Sequence, residues 1–279
     1  MVWTEITRKQ HDRSRLRYAS DLADAEWELV GPHLPAPRHL GRPRKVCLRA
    51  VFDALQYVLA TSCQWRALPK DFPPRSTVQN YFYKWRRDGT LDCLALLVAQ
   101  LRQASGRQPD PSAAIIDSQS VKTTESGGPR GRDPAKRING RKRHIVTDTG
   151  GLPLEMQVHP ADVQDVHGAE PLLRALRQRL PKLGHVFADR VYRGKQLLDA
   201  LADCGPWEIE IVQRPAGEKG FQLLPRRWVV ERTFAWLGRC RRLAKDFEAS
   251  IESALAWLKL AAIRFVVRKL ARPIPSHNI

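Results

Sequence analysis

Asp117 closes the uncharged run of residues 113–116 in the stretch AAIIDSQSVKTTE. A carboxylate is rarely left at the end of a buried strand without a partner, so Asp117 faces a backbone group, an arginine or a metal ion. Asp189 ends a similar run in HVFADRVYRG, and Glu231 lies in RRWVVERTFAWL. Two uncompensated carboxylates a few ångströms apart repel, and one of them stays protonated unless a cation intervenes. A divalent ion removes that penalty. Hard oxygen donors, few of them from the protein, suit Mg²⁺, which takes substrate phosphate oxygens among its remaining ligands. Two such ions about 3.5–4 Å apart activate a water or a 3′-hydroxyl and stabilise the leaving oxygen of an in-line displacement at phosphorus. Lys122 and the arginines around Glu231 could neutralise phosphate charge. Arginine partners for Asp117 and Asp189 at the strand ends are the other reading of the same residues.

The elements that must bring these acids together follow from the residue pattern. SAAIIDSQSVK, KRHIVTDT, LPLEMQVHP, GHVFADRVY and WEIEIVQR read as five strands. HGAEPLLRALRQRL and GKQLLDALADC read as helices after the third and fourth of them, and PRRWVVERTFAWLGRCRRLAKDF as a long helical stretch after the fifth. Three consecutive strands suit an antiparallel meander, and the alternation that follows suits parallel additions to the same sheet. The predicted class is α/β, a ribonuclease-H-like domain with a mixed five-stranded sheet and helices. First and fourth strands are neighbours in that fold, which sets Asp117 beside Asp189. The other polar residues read more blandly. Asp148 suits a hairpin turn, Asp162 and Asp165 a loop and a helix cap, and Glu208 and Glu210 the wet face of a strand; His144, His159 and His185 lack metal-ligand spacing.

Ahead of this lies an all-α, helix-turn-helix-like segment. SDLADAEWELVGPHL and VCLRAVFDALQYVLATSC carry helical periodicity, and Ser76 with Gln79 form a capping-box signature opening TVQNYFYKWRRDG. Val78, Phe82 and Trp85 share one face of that helix, leaving Lys84, Arg86 and Arg87 for another. A capped, basic second helix suits a DNA reader, although a plain three-helix bundle has the same pattern. The stretch GRPRK, with Arg42, Arg44 and Lys45, suits either a basic arm in a minor groove or an ordinary linker. The expected division is a flexible basic N-terminus at 1–20, a helical DNA-binding domain at 21–104, a linker at 105–112, the catalytic domain at 113–272 and a tail at 273–279.

Bulk composition points the same way. With 47 Lys and Arg against 29 Asp and Glu the net charge is +18, which favours a polyanionic partner, chiefly nucleic acid. A merely basic enzyme or a ribosome-associated protein shares that balance. The five cysteines are scattered with no C-x-x-C pair, which argues against a zinc site or a disulfide framework and for a reducing compartment. No apolar run approaches the ~18 residues of a membrane span, and the N-terminus lacks a signal-peptide core. A soluble intracellular protein is expected.

IDSQSVKTTESGGPRG, GRKRHIVTDT, VHPADVQD, HVFADRVYRG and RRWVVERTFAWLGRCRRLAKDFE together resemble the catalytic domain of DDE-type bacterial insertion-sequence transposases, in particular the insertion-sequence-5 family. The front part, with GRPRK and CQWRALPKDFPPRSTVQNYFYKWRRDGT, is similar to the N-terminal domain of those proteins, and the resemblance covers about residues 19–272. It implies that Asp117, Asp189 and Glu231 are the catalytic, metal-binding triad, with Mg²⁺ as cofactor and Mn²⁺ able to substitute. It also implies an arginine four residues before the glutamate, where Arg227 stands. Two positions depart from the wider signature: Leu224 replaces a tyrosine, and Gly238 replaces a lysine, with Arg239 beside it as a substitute. The partners so implied are double-stranded DNA, as terminal inverted repeats and as target, and further copies of the chain in a homo-oligomer. Such a protein binds no membrane and works in the bacterial cytoplasm, on the nucleoid when bound to DNA. Arg42, Arg44, Lys45, Lys84, Arg86, Arg87, Lys122, Arg227 and Arg239 are its candidate DNA contacts. A metal-dependent nuclease of the same fold without strand transfer, or an inactive DNA-binding derivative, are the alternatives.

Overall fold

The computed structural model describes residue 5 and residues 11–37, 43–193, 195–213 and 226–272. One mixed sheet holds β1 (Ala113–Lys122), β2 (Gly131–Asp133), β3 (Ile138–Asp148), β4 (Pro153–Pro160), β5 (His185–Ala188) and β6 (Glu208–Ile211). β3 pairs antiparallel with β1, β2 and β4, as a meander requires. β5 joins β1 in parallel and β6 joins β5 in parallel. β1 is therefore an interior strand, and its run of Ala114, Ile115 and Ile116 is buried, the continuous apolar pattern of a strand covered on both faces. The expected architecture of a mixed sheet with helices is present, with one strand more among the described residues than predicted. β2 has only three residues, Gly-Arg-Asp, too few and too polar to show an alternation.

The helices are α1 (Asp24–Val30), α2 (Leu48–Thr61), α3 (Arg75–Arg87), α4 (Leu94–Ala104), α5 (Asp165–Arg179), α6 (Lys195–Leu201), α7 (Arg227–Gly238) and α8 (Ile251–Leu270). Val78, Phe82 and Trp85 of α3 are buried as predicted. The predicted capping box is not formed. Pro74 occupies the N-cap position with no side-chain cap bond, and Ser76 already lies inside the first turn. Proline's restricted backbone dihedral starts the helix without it.

The expected long helix after β6 is broken. α7 stops at Gly238, a short 3₁₀ turn follows at Arg241–Leu243, and a second helix, α8, begins after Ser250. The Ser250 hydroxyl accepts from the Ser253 amide at 3.2 Å, an N-cap. α8 was not foreseen, and it joins the two halves of the molecule. Trp257 stacks on Phe82 with ring centroids 4.5 Å apart, and Arg264 Nη1 donates to Gln56 Oε1 at 3.2 Å and to the Ser20 carbonyl at 3.3 Å. The buried apolar residues form one continuous cluster from Leu22 to Val267.

The supposed linker and N-terminus are also held. Arg102 donates to the Gln108 and Pro109 carbonyls, and Arg107 to Asp148 at 2.8 Å. Residues 11–20 do not form a loose arm: Arg13 grips both carboxylate oxygens of Glu26 at 2.8 and 2.7 Å, and Tyr18 packs on Tyr57 and Phe72. Among the described residues no helix is long and apolar enough to cross a membrane.

Candidate active site

The register of β1 and β5 sets the site. Ala113 pairs with His185, Ala114 with Val186 and Ile115 with Phe187. Two residues further along the same register, Asp117 lies beside Asp189, on strands whose spacing is about 4.8 Å. Both side chains hold local backbone: Asp117 Oδ1 accepts from the Ser118 amide at 2.7 Å and Asp189 Oδ1 from the Val191 amide at 2.8 Å. Burial, reinforced by the charge of Asp189, pushes the Asp117 carboxyl up to about 6, against the Ser118 amide and the charges of Arg227 and Lys136. Among the described residues Asp117 forms no ion pair, so the arginine-partner reading does not hold for it.

Glu231 comes from the other side. α7 packs on β1 and β3 through buried Val229, Val230 and Phe234. It is pinned to the β3–β4 turn by Thr233 Oγ1, which donates to the Gly151 carbonyl at 2.8 Å, and by Arg232 Nη2, which donates to the Gly150 carbonyl at 3.0 Å. Gly151 has φ +88°, and a Cβ there would sit 2.9 Å from Thr233 Oγ1, so glycine is required. One turn apart on α7, Arg227 and Glu231 share a face. Arg227 Nη2 stands 3.5 Å from Glu231 Oε1 and 3.7 Å from Asp189 Oδ2. The arginine thus links the two outer acids, while Glu231, its side chain 52% exposed, does not close onto the aspartates. Among the described residues no three acid, His or Cys side chains converge as a metal cage. The donor chemistry nevertheless fits a divalent cation at the aspartates: two hard carboxylates, adjacent, one of them destabilised in its charged form.

Beneath the pair lies a polar network that sequence spacing did not reveal. The Ser118 hydroxyl donates to Asp165 Oδ1 at 2.7 Å, and the same carboxylate meets Lys142 Nζ at 3.1 Å and His144 Nε2 at 3.3 Å. Burial opposes ionisation of Asp165, but His144, Ser118 and Lys142 outweigh it and hold its carboxyl well below the usual range. Asp165 is therefore no helix cap; it opens α5 and points into the sheet. His144 Nδ1 lies 2.7 Å from His159 Nε2 with the rings stacked. A Cβ at Gly168 of α5 would fall 2.5 Å from His144 Cε1, so only glycine lets the helix pass this close. His144 and His159 are fifteen residues apart, and only the β3–β4 register joins them.

Lys136 is the cation that the sequence reading missed. Its Nζ donates to the Ser118 carbonyl at 3.2 Å, from the turn between β2 and β3. Lys122 does not join the acids. It lies five residues beyond Asp117, about 16 Å along a strand and on the opposite face, and is exposed. Arg86 Nη1 donates to the hydroxyls of Ser250 and Ser253 at 3.1 and 2.6 Å, a tie between α3 and α8. Asp148 is the expected turn residue, accepting from the Gly150 and Leu152 amides at 2.8 Å, and is further held by Arg102 and Arg107. Glu208 and Glu210 lie outward, 3.0 and 2.9 Å from the His185 ring nitrogens. Lys45, Arg87 and Arg239 are exposed and Lys84 is half-buried; Arg44 Nη1 donates to the Pro35 carbonyl at 2.9 Å. Gly238 is exposed with open space around it. Arg42, Leu224 and the tail at 273–279 lie outside the described residues.

Residues 108–266 match the family model described as the transposase DDE domain. Residues 22–95 match a second, described as a putative transposase of the IS4/5 family. A relative from Burkholderia cepacia, named as the putative transposase for insertion sequence element IS402, is 37% identical over 179 residues, covering 60% of this chain and 83% of the relative.

Proposed function

The chain belongs to the DDE-domain transposase family, and for this DNA transposase we propose that Asp117, Asp189 and Glu231 are the acids that cut DNA at the terminal inverted repeats of its element and join the freed 3′ ends to target DNA. The observation that carries this reading is the registered pair Asp117 and Asp189, the first midway along β1 and the second just past the end of the parallel β5, with Asp117 outside any ion pair among the described residues. Asp117 and Asp189 would hold a divalent ion, Mg²⁺ by preference and Mn²⁺ as a substitute, with Glu231 as third ligand. When bound, such ions supply Lewis-acid activation of the attacking hydroxyl and stabilisation of the leaving oxygen.

The chain's own residues do the rest. Arg227 orients Glu231 and offers its guanidinium to a phosphate. Lys136 adds positive charge beside Asp117. Asp165, through the Ser118 hydroxyl, holds the middle of β1 next to Asp117. The helical segment is the proposed repeat reader, with Arg44, Lys45, Lys84 and Arg87 as contacts, and two DNA ends call for a homo-oligomer.

The test is cleavage of labelled DNA carrying the element's terminal repeat, in Mg²⁺, Mn²⁺ or EDTA. Metal-dependent nicks at the repeat boundary are expected from the wild type. Asp117→Asn, Asp189→Asn and Glu231→Gln should each abolish them while leaving repeat affinity nearly unchanged. Undiminished cleavage by Asp117→Asn would sink the assignment.

A further inference from the structure

A second cationic site lies along α7 and α8, away from the acids. A cavity of about 330 Å³ is lined by Trp236, Arg239, Arg264, Arg268, Lys269 and Arg272 among others, with no carboxylate in its wall among the described residues. Glu26 reaches toward it, 3.9 Å from Arg268 Nε, but that carboxylate is already gripped by Arg13. Arg268 Nε is buried with no hydrogen-bond partner among the described residues. Burial lowers the Arg268 guanidinium to about 9, helped by Arg264 and Arg13, and lowers the Lys269 ammonium to about 8, helped by Arg232. His11, on the same cavity, is held below its ordinary range by burial and then by Arg272, Arg268 and Arg239. The positive charges therefore converge on one space. Cations gathered out of water in excess of the carboxylates near them are costly, and an anionic ligand reduces the cost.

The aromatic residues narrow the ligand. Trp236 carries Arg232 over its ring at 4.6 Å and Lys269 at 4.5 Å, and Lys269 also covers Phe265 at 4.4 Å. With cations already on these rings, the cavity offers charge rather than a stacking platform, which selects phosphate over a base. Arg264 and Arg268 are fixed in place by bonds to Gln56, Ser20 and Ala19. Arg239 lies eight residues beyond Glu231, about 12 Å along the helix axis, so one DNA strand can run from the acids to the cavity.

We infer that this cavity is a phosphodiester-binding site that grips the DNA backbone beyond the cleavage point. The inference rests on DNA being the substrate, but not on the assignment of the acids. Its test is DNA binding by the full chain in EDTA, read by fluorescence anisotropy of a labelled duplex across a salt series, so that loss of cleavage cannot mimic loss of the site. Each phosphate contact removed should reduce the slope of log K against log salt by about 0.9. Arg239→Gln with Arg272→Gln should therefore flatten it by about 1.8. Arg239→Lys with Arg272→Lys should keep the slope, and Lys182→Gln with Lys195→Gln, a charge-matched exposed pair elsewhere, should change it less. An unchanged slope in the Gln pair, or an equal change in the control, overturns the inference. Tripolyphosphate supplies the second arm. Thermal stabilisation of the wild type alone, with no change in DNA slope between wild type and Gln pair, would assign the cavity to a free polyphosphate and overturn the DNA source.

Discussion

His159 shows how far the site extends beyond the three acids. Its ring is buried and, with Nδ1 2.9 Å from the Pro160 carbonyl, its Nε2 is left to meet His144. Burial, aided by the charges of His144 and Lys142, lowers its pKa from 6.5 to about 4. A histidine whose folded pKa is depressed contributes stability above the unfolded pKa, and that stability is lost as pH falls through 6.5 toward 4. The pKa gap is worth about 3 kcal/mol in full, of which roughly 2 is lost by pH 5. Urea unfolding at pH 7 and pH 5 should show a steeper loss in the wild type than in His159→Gln, by about that amount. Equal losses would mean that the histidine stack does not titrate as a buried neutral pair. At this scale the neighbourhood of Asp117 and Asp189 was legible in the sequence, because each closes an apolar run on strands that the predicted sheet makes adjacent. The sequence could not carry Lys136, His144 or His159. Their partners are set by strand register across the sheet, which spacing along the chain does not encode.

Among the elements, α8 decides most and was the least visible. Its signals were present: Ser250 as N-cap, then Ala254, Trp257, Leu258 and Ala261 at helical spacing, all buried. The long helical stretch predicted from the sequence ends at Phe247, running through Gly238 and the 3₁₀ turn beyond it, which are weak punctuation, and leaves residues 251–270 unassigned. β2 escaped for the opposite reason, being too short for any period. Once α8 is in place Arg86 changes role, since its guanidinium spans to the Ser250 and Ser253 hydroxyls instead of facing solvent. Arg86→Ala should lower stability to urea by about 1–3 kcal/mol, the usual cost of removing a part-buried charged hydrogen-bonding group. The salt dependence of DNA binding should stay as in the wild type. A flatter salt slope with unaltered stability would return Arg86 to the DNA interface.

For the molecule as a whole, the net charge of +18 and the shared core pull in different directions. A chain with so much like charge gains from spreading it over a large surface, which would suit two loosely tethered units. The packing joins them instead. Arg264 holds Ser20 and Gln56, Arg102 and Arg107 hold Asp148 across the 105–112 segment, and Trp257 stacks on Phe82. The division between helical and sheet segments, plain in the change of residue pattern, is thus a change of secondary structure within one buried cluster. The helical segment and the sheet that carries Asp117 and Asp189 are then held in fixed relation, which the proposed cutting at a set distance from a bound repeat would need. Removing the shared ring makes the consequence measurable. Trp257→Ala should destabilise the chain by about 3–5 kcal/mol, the cost of a large cavity in a packed core. Wild type and variant should each unfold in one transition, with tryptophan fluorescence and far-ultraviolet dichroism coincident. Two resolved transitions in the wild type, with Trp257→Ala shifting only one, would show that the segments fold as separate domains and that α8 does not couple them.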